Sequence, residues 1–385
     1  QLIVYTAAIL EDNPELVAAR ASGIPMVERA EFLGYLTSLY QNCICVCGTH
    51  GKTTTTSLLT QALMECELDP TVVIGGKLPA IGGSGRAGNS SYMVCEACEF
   101  KDHFLELAPD VAVILNVDAD HLEYFGTLEN IIRSFHKFAQ MAAKGVIFNG
   151  DDANTRKALE GIEGKPLISF GWGEGNDYRA ANPKFYGARS EFDVYCEGKL
   201  LTHIHLNIPG RHNILNALAA FVAAQFTGKA AIGGVLSGLE AFHGAGRRFE
   251  ILGKASGITI ADDYAHHPAE ITATLKAAKE LGFRKVWAVF QPFIYSRTRL
   301  LMDDFAKALS LADYVVMSEI MGGREKNTDG VYTSQLAEKI PGSVWFPQFP
   351  EIAQYVMSHA QSGDLVITMG CGDVYKCAKM MVKQG

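Results

Sequence analysis

The chain has 385 residues, a length that corresponds to two or three domains at the usual size of about 100–200 residues each. Its composition, with 48% hydrophobic and 20% charged residues, is that of an ordinary globular protein and excludes a disordered, collagen-like or fibrous chain. The formal net charge of −8 argues against a general nucleic-acid surface, and no apolar run reaches the roughly 20 residues of a membrane span.

The first predicted elements alternate between strand and helix. They are a strand over residues 2–5, a helix over 14–21, a short apolar segment over 25–27 and a helix over 30–40. These elements are too few to enclose a core of their own. Because the chain starts at Gln1 and enters a strand at once, we expect an N-terminal part of this first domain to be missing, and we place the domain's end at residue 42.

The same alternation continues through a second predicted domain, residues 43–244. Its predicted elements are strands over 43–47, 92–95, 111–117 and 145–148 and helices over 53–65, 128–141 and 213–226. Continuous apolar strands of this kind are typical of a parallel sheet that is covered on both faces. Between residues 168 and 208, short alternating segments punctuated by glycine predict a small antiparallel insertion.

A glycine-rich break at residues 244–246 predicts the start of a third domain, residues 245–385. Its predicted elements are strands over 258–261, 285–291, 314–318 and 365–369 and helices over 268–281 and 298–312. The repeated strand–helix order predicts the α/β class, with parallel sheets that present ligands at the carboxyl ends of their strands.

Nine cysteines, an odd number, predict reduced thiols of a cytoplasmic protein rather than a disulfide scaffold. Cys43, Cys45 and Cys47 alternate as one face of a strand would. Cys95 and Cys98 have the spacing of half a zinc or redox motif, but no second pair stands at ligand spacing. We therefore expect buried structural thiols.

The strongest motif follows the strand at residues 43–47. Residues 48–54 read Gly-Thr-His-Gly-Lys-Thr-Thr. The usual phosphate loop has its first glycine five residues before the Gly-Lys pair, and that position is Val46 here, so this is the shorter form of the motif. Glycines let backbone N–H groups approach phosphate oxygens, Lys52 reaches the β- and γ-phosphates, and the Thr53 hydroxyl ligates Mg²⁺. The alternative is a glycine turn before a threonine-capped helix; the strand–loop–helix context favours nucleotide binding.

Acidic side chains follow the next two predicted strands. Glu96 and Glu99 come after one strand, and Asp118, Asp120 and His121 come after the other. Carboxyl ends of parallel strands meet at one edge of a sheet, and a magnesium–ATP site needs carboxylates there. Each acid alone would be a solvated loop charge or a helix cap, but the two clusters together predict a metal site. Chemistry alone leaves open whether His121 is a further ligand.

Three motifs together resemble the Mur ligases, the ATP-dependent amino-acid ligases of peptidoglycan precursor synthesis: residues 48–54, Asp120-His121, and Gly-Arg-His-Asn-x-x-Asn-Ala at 210–217. Further motifs narrow the resemblance to the branch that attaches L-alanine to UDP-N-acetylmuramate. They are Gly-Arg-Arg-Phe at 246–249, Asp-Asp-Tyr-Ala-His-His-Pro at 262–268, Gln-Pro-x-x-Tyr-Ser-Arg-Thr at 291–298, Gly-Gly-Arg-Glu-Lys-Asn at 322–327 and Gly-x-Gly-Asp-Val at 370–374. The resemblance covers nearly the whole chain in the right order.

The resemblance implies a P-loop-type, parallel-sheet ATPase domain followed by a Rossmann-like C-terminal domain, with a remnant of an N-terminal Rossmann-like domain. The remnant would belong to the domain that binds the UDP substrate, the central domain would bind ATP, and the C-terminal domain would bind the amino acid. ATP and Mg²⁺ are the implied cofactors, UDP-N-acetylmuramate and L-alanine the implied substrates, and the cytoplasm the implied location. No feature of the sequence indicates an oligomeric state.

The resemblance also implies roles for individual residues. The catalytic residues would be Lys52, Glu99, His121 and Arg248, with Mg²⁺ held by Thr53, Glu99 and His121. His266 and Arg297 would contact the amino acid. The planar fork of Arg297 suits a carboxylate, although an exposed charge at a helix N-terminus is the alternative. ATP would be bound by the following set: Gly48, Thr49, His50, Gly51, Lys52, Thr53, Thr54, His212, Asn213, Asn216 and Asp263.

Two features depart from the family pattern. The glycine-rich loop that binds the UDP moiety has no counterpart, because only the last part of that domain matches, as residues 1–40. Phe293 stands where the family usually has the histidine of Gln-Pro-His, in the region that holds the incoming amino acid. The alternatives are a related ligase that adds a tripeptide or glutamate, a nucleotide-binding regulator or motor without an amino-acid pocket, and a fragment without activity.

Overall fold

The computed structural model describes residues 1–7, 9–323 and 325–383. Its first elements confirm the predicted alternation, with β1 (Ile3–Tyr5), α1 (Pro14–Ala21), β2 (Met26–Glu28) and α2 (Arg29–Thr37) in chain order. Strands β1 and β2 pair in parallel. Helix α1 begins where the Asn13 side chain accepts hydrogen bonds from the backbone N–H groups of Glu15 and Leu16. Proline follows Asn13, at a position where a helix needs no N–H group.

A ten-stranded sheet contains the next strands, which are β3 (Asn42–Cys47), β4 (Thr71–Leu78), β5 (Gly83–Arg86), β6 (Tyr92–Glu96), β7 (Val111–Ile114), β8 (Gly145–Asn149), β9 (Leu167–Gly171), β10 (Tyr178–Tyr186), β11 (Arg189–Cys196) and β12 (Lys199–Leu206). Their order across the sheet is β12-β11-β10-β9-β8-β7-β3-β6-β4-β5. Strand β3 lies between β6 and β7 and runs parallel to both. The phosphate loop therefore leaves the carboxyl end of an interior strand, as the sequence predicts.

The helices of this part of the chain are α3 (Lys52–Glu65), α4 (Leu122–Phe125), α5 (Leu128–Met141), α6 (Ala153–Ala158), α7 (Arg211–Phe226) and α8 (Ile232–Glu240), with 3₁₀ helices at Pro79–Ile81 and Phe100–Glu106. The cysteines of β3 and Cys95 lie in one buried core with Phe135 and Phe138. These thiols are free and buried, as expected. Cys98 departs from that expectation because it is exposed.

The predicted antiparallel insertion at residues 168–208 is only partly correct. Strand β9 pairs in parallel with β8, and β10 pairs in parallel with β9, so this segment extends the large sheet. Strands β10, β11 and β12 are neighbours joined by connections of two residues, which only antiparallel strands allow. Positive φ angles at Gly187, Glu197 and Gly198 supply the tight turns of these hairpins.

A second sheet has six strands, which are β13 (Glu250–Ala255), β14 (Ile258–Asp263), β15 (Val286–Phe290), β16 (Tyr314–Ser318), β17 (Val344–Phe346) and β18 (Leu365–Met369). Their order is β13-β14-β18-β15-β16-β17, and only β13 runs antiparallel to its neighbour. Strands β13 and β17 were not predicted; both are edge strands and lack the continuous apolar run of the central ones. Two further hydrophobic cores cover the faces of this sheet.

The helices around the second sheet are α9 (Pro268–Glu280), α10 (Tyr295–Leu300), α11 (Met302–Leu309), α12 (Thr333–Ala337), α13 (Phe349–His359) and α14 (Tyr375–Lys383). The single helix predicted over residues 298–312 is thus two helices. They meet at Leu301, whose backbone angles of −110° and 23° leave the helical range. The α/β class with parallel sheets is confirmed.

The chain divides into two compact units. One comprises Gln1–Asn182, Phe192–His205 and Ile214–Phe242, and the other comprises Pro183–Glu191, Leu206–Asn213 and His243–Gly385. Within the described residues, no helix combines the length and the apolar character that crossing a membrane requires. The three-domain division drawn from the sequence stays a prediction.

Candidate active site

The phosphate loop joins β3 to α3 and depends on two glycines. Gly48 and Gly51 have φ angles of 142° and 87°, a region that favours glycine. A Cβ at Gly51 would lie 2.5 Å from the side-chain oxygen of Asn216, and a Cβ at Gly48 would lie 3.0 Å from Leu115 Cβ. Gly51, the residue that precedes α3, has no side chain that could cap this 14-residue helix. The N-terminus of a helix is a place where backbone N–H groups bind anions such as phosphate.

Asn116, which follows β7, holds the loop in place. Its side-chain oxygen accepts a hydrogen bond from His50 N at 2.8 Å, and its side-chain nitrogen donates to His50 O at 3.0 Å. Its backbone oxygen accepts from Thr49 N at 3.1 Å. The sequence analysis did not assign Asn116 a role; its signal was an asparagine near the end of an apolar strand.

Lys52 and Glu99 form a buried ion pair at the start of α3. The ammonium group lies 3.1 and 2.9 Å from the two carboxylate oxygens of Glu99, which is 3% exposed. It also donates to Gly48 O at 2.6 Å and to Thr49 O at 3.1 Å. Burial is the largest single effect and would lower the pKa of Lys52, but the charge and hydrogen bond of Glu99, together with smaller contributions from Cys98 and Glu96, outweigh burial and raise that pKa. Lys52 is therefore a fixed positive charge beside the loop.

Thr53 and Glu96 add further oxygen atoms next to this pair. The Thr53 hydroxyl donates to Glu96 Oε1 at 3.1 Å, and Glu96 Oε2 accepts from Gly75 N at 2.7 Å. Glu96 and Glu99 thus both reach the first turn of α3 from the end of β6. This donor set, one hydroxyl and two carboxylates, is the kind that Mg²⁺ prefers. The residues are chemically suited to Mg²⁺, and the magnesium site expected from the sequence stays a prediction.

His121 lies at the N-terminus of α4 in a left-handed conformation, with φ of 53°. Its ring centroid is 4.8 Å from that of Phe100, the residue after Glu99. Its Nε2 atom is 3.8 Å from a carboxylate oxygen of Asp120. Asp118 meets the phosphate loop through its backbone, whose N–H donates to the Thr49 hydroxyl at 2.9 Å. The residues after β6 and β7 are therefore adjacent through Phe100.

Helix α7 carries the motif at residues 210–217. Asn216 is buried, and its side chain is the group that a Cβ at Gly51 would strike, so it lies against the phosphate loop. Asn213 is buried as well, and its side chain donates to Pro209 O at 2.7 Å, which closes the turn before the helix. His212 is exposed. The adenine contacts expected of these residues stay a prediction.

Asp263 ends β14 and is buried in the second unit. Its two carboxylate oxygens accept hydrogen bonds from Phe249 N and Ala265 N, each at 2.7 Å. Burial raises the pKa of Asp263 to about 6, although the positive charge of Arg248 and the two N–H groups act in the opposite direction. The carboxylate thus organises the backbone around Arg248, while the expected ribose contact stays a prediction.

Arg297 lies in α10 and is only 8% exposed, so the alternative of an exposed helix-end charge is wrong. The preceding residue, Ser296, donates from its backbone N–H and its hydroxyl to the carboxylate of Glu325. His266 Nδ1 lies 3.1 Å from Tyr264 O and 3.2 Å from Glu270 Oε2. Sequence reasoning gave no site role to Glu325, since its partner is 29 residues away along the chain.

Gln291 and Phe293 lie in the same loop, after β15. The Gln291 side-chain oxygen accepts from Val374 N at 3.1 Å, which ties this loop to the one after β18. A Cβ at Gly323 would lie 3.6 Å from the ring of Phe293, so the ring lies next to Gly323. The position that departs from the family histidine is thus filled by a packed aromatic ring.

Comparison with known proteins matches the chain along most of its length. Residues 1–41 match the Mur ligase family catalytic domain, residues 46–224 the Mur ligase middle domain, and residues 247–372 the Mur ligase glutamate ligase domain. A UDP-N-acetylmuramate–L-alanine ligase of Clostridium acetobutylicum is 44% identical over 390 residues, which cover 100% of this chain and 84% of the relative.

Solved structures give the same result. The UDP-N-acetylmuramate–alanine ligase of Thermotoga maritima is 29% identical, with a TM-score of 0.84 over 100% of this chain and 84% of that one. A murein peptide ligase of Psychrobacter arcticus is 25% identical, with a TM-score of 0.75 over 100% of this chain and 85% of that one.

Proposed function

The chain belongs to the Mur ligase family, and we propose that it is an ATP-dependent, ADP-forming ligase that joins L-alanine to UDP-N-acetylmuramate in peptidoglycan precursor synthesis. The observation that carries this proposal is the phosphate loop with its buried Lys52–Glu99 pair. In the reaction, the lactyl carboxylate of the sugar takes the γ-phosphoryl group of ATP. The amine of L-alanine then displaces phosphate from the acyl phosphate.

Phosphoryl transfer of this kind needs positioning and positive charge rather than a covalent role for the protein. The N–H groups at the start of α3 bind phosphate oxygens, and Lys52 provides a fixed cation beside them. On the family resemblance, we propose Arg248 as a further catalytic cation. Asn116 and Asn216 keep the loop in the conformation that presents these N–H groups.

We propose that Thr53, Glu99 and His121 hold Mg²⁺, with Glu96 as a neighbouring carboxylate. When bound, Mg²⁺ supplies positive charge to the phosphate oxygens. Glu99 forms an ion pair with Lys52 in the structure. In this proposal the same carboxylate also binds the metal. The Phe100 ring holds the imidazole of His121 beside the segment that carries Glu99.

We propose that the second unit binds the amino acid through Arg297 and His266. Arg297 is buried on the short helix that follows β15, and a buried guanidinium holds a carboxylate by two parallel hydrogen bonds. We retain the division into a UDP-substrate part (1–42), an ATP-binding domain (43–244) and an amino-acid-binding domain (245–385). We also propose a cytoplasmic location, since all nine cysteines lie in the described residues and are free thiols.

The test measures phosphate release and product mass with ATP, UDP-N-acetylmuramate and one amine substrate at a time. We expect release only when the sugar nucleotide and L-alanine are both present. Glycine and L-serine should be only modestly poorer, because one methyl group is worth about 1–3 kcal/mol. Product with a tripeptide but not with L-alanine would assign a recycling ligase, and release without either substrate would assign a nucleotide-driven regulator.

Arg297→Lys is expected to raise the KM for L-alanine roughly 10- to 100-fold, since the bidentate bond is lost. L-alaninamide should be a poor substrate for the wild type. Arg299→Lys is the matched control, because Arg299 is exposed and pairs with Asp329 at 2.9 Å. An unchanged KM in Arg297→Lys, or alaninamide used as well as alanine, would remove Arg297 from the amino-acid site.

A further inference from the structure

Residues 245–250 carry Arg248 in a strained backbone. The residues on both sides of it, Arg247 and Phe249, have φ angles of 60° and 48°, which side chains other than glycine rarely adopt. Such strain persists only where the surroundings enforce it. Here, Arg247 N donates to the Glu250 carboxylate at 2.8 Å, and Phe249 N donates to Asp263 at 2.7 Å. The backbone at Arg248 is therefore held from both sides.

The side chain of Arg247 joins three segments of the second unit. Its Nε donates to Asp262 Oδ2 at 2.8 Å, and Asp262 is 1% exposed at the end of β14. Its Nη2 donates to Gly370 O at 2.7 Å, in the loop that follows β18. Its guanidinium carbon also lies 5.0 Å from the ring of Tyr264 and 4.8 Å from the ring of Tyr375, at the start of α14.

Arg248 meets this network through the same tyrosine. Its guanidinium carbon lies 4.9 Å from the Tyr264 ring, which both arginines therefore contact. The backbone of Tyr264 is in turn fixed by Arg247, whose carbonyl accepts a hydrogen bond from Tyr264 N at 2.7 Å. Cation–π contact of this kind restricts where the Arg248 guanidinium lies over the ring.

We propose that Arg247 is a positioning residue for the ligase reaction: it holds the end of β14, the Gly370 loop and Tyr264 together and thereby fixes where the Arg248 guanidinium lies. This inference rests on the proposed function, which gives Arg248 its role. The role proposed for Arg247 requires no contact with a substrate. Its planar fork is required because one side chain must serve Asp262 and Gly370 O while stacking on aromatic rings, and the ammonium group of lysine cannot do all three.

The experiment is a double-mutant cycle with Arg247→Lys, Arg248→Lys and the double variant, in which kcat, KM for ATP and stability to urea are measured. The matched control is Arg284→Lys. Arg284 also pairs with a buried aspartate, Asp364, at 2.8 Å, but it lies at the opposite end of the sheet, before β15. If Arg247 is important only for folding, Arg247→Lys and Arg284→Lys should therefore lose similar amounts of stability to urea and have similar kcat values.

We expect Arg247→Lys to lower kcat roughly 10- to 100-fold, because small misplacements of catalytic groups have effects of this size, and Arg284→Lys to leave kcat unchanged. In the Arg248→Lys background, the Arg247 change should have no further effect on kcat. Multiplicative losses in the double variant, or equal kcat values in Arg247→Lys and Arg284→Lys, would overturn the inference.

Two further outcomes separate this inference from the proposed function. Absence of ligation by the wild type would refute the proposed function itself. If the wild type is active and Arg248→Lys is fully active as well, the proposed function stands. The catalytic role of Arg248 is then refuted, and the positioning role of Arg247 is refuted with it. If Arg247→Lys does not fold, Tyr375→Leu replaces it in the same cycle, since it removes one stacking face of Arg247 and leaves both hydrogen bonds.

Discussion

Glu99 is predicted to serve two partners, and the substitution Glu99→Gln separates them. The change preserves the shape of the side chain but removes its charge. In the structure, the carboxylate is 3% exposed and lies 2.9–3.1 Å from the ammonium group of Lys52. A buried charge left wholly without a partner costs about 3–5 kcal/mol. Lys52, however, keeps the carbonyl groups of Gly48 and Thr49 as acceptors, at 2.6 and 3.1 Å.

The expected loss of stability is therefore nearer that of one charge-assisted hydrogen bond, about 2 kcal/mol. The metal effect is separate from this loss. Removing one anionic ligand should shift the Mg²⁺ concentration that gives half-maximal activity upwards by at least about tenfold, since changes even outside the ligand set cost 10- to 100-fold. Excess Mg²⁺ should recover part of the activity.

The assay titrates Mg²⁺ at fixed ATP and substrates in the wild type, in Glu99→Gln and in Glu96→Gln, with urea unfolding of each variant alongside. Glu96→Gln is the comparison because Glu96 bonds to Thr53 and Gly75 rather than to Lys52. If Glu99→Gln loses stability while its Mg²⁺ dependence stays that of the wild type, Glu99 is only the partner of Lys52. The metal role would then pass to Glu96 or to one of the aspartates after β7.

Three further predictions follow from individual contacts. Lys52→Ala should lower turnover at least ~100-fold, since it removes the cation beside the phosphates, and near wild-type ligation would refute its assignment. Gly51→Ala should lower the free energy of unfolding by about 2–4 kcal/mol, because φ is 87° and the new Cβ would lie 2.5 Å from Asn216. Gly82→Ala is the control, because Gly82 also has a positive φ but no atom lies near its Cβ position, so only the backbone strain should lower the free energy of unfolding. Equal losses of stability in the two variants would show that the contact with Asn216 contributes nothing. Burial raises the pKa of Asp313, but hydrogen bonds from two lysines and a backbone N–H outweigh it and lower the pKa to about 2. Ionised Asp313 therefore stabilises the fold above pH ~4. Asp313→Asn should lower the free energy of unfolding, measured by urea titration, by about 1–2 kcal/mol at pH 7 and by progressively less between pH 4 and pH 2. A loss of stability that does not depend on pH would refute this role of Asp313.

The prediction of the fold succeeded where local pattern decides structure. The central strands of both sheets are continuous apolar runs, and most of them were placed within two residues of their observed ends. The prediction of the fold was incomplete where contacts between distant parts of the chain decide the structure. Strands β13 and β17 pair at sheet edges without a strong apolar run, and β9 to β12 read as a separate insertion although β9 continues the parallel sheet.

The sequence by itself determined the position and composition of the phosphate loop. Glycines at 48 and 51, Lys52 and Thr53 are consecutive in the chain, and the backbone that presents N–H groups to an anion is a local structure. It also determined that the acids after β6 and β7 lie at the same edge, because parallel strands end on one side of their sheet.

Only the tertiary structure decided how these groups are held. Asn116 bonds to His50 across 66 residues of chain, Glu325 to Ser296 across 29, and Arg247 to Gly370 across 123. No local pattern encodes such pairs, because a hydrogen bond depends on distance in space, whereas a sequence motif records only distance along the chain. The side chains proposed for the chemistry could therefore be named from sequence motifs, whereas those that hold them in place emerged only from the packing of loops that the folded sheets bring together.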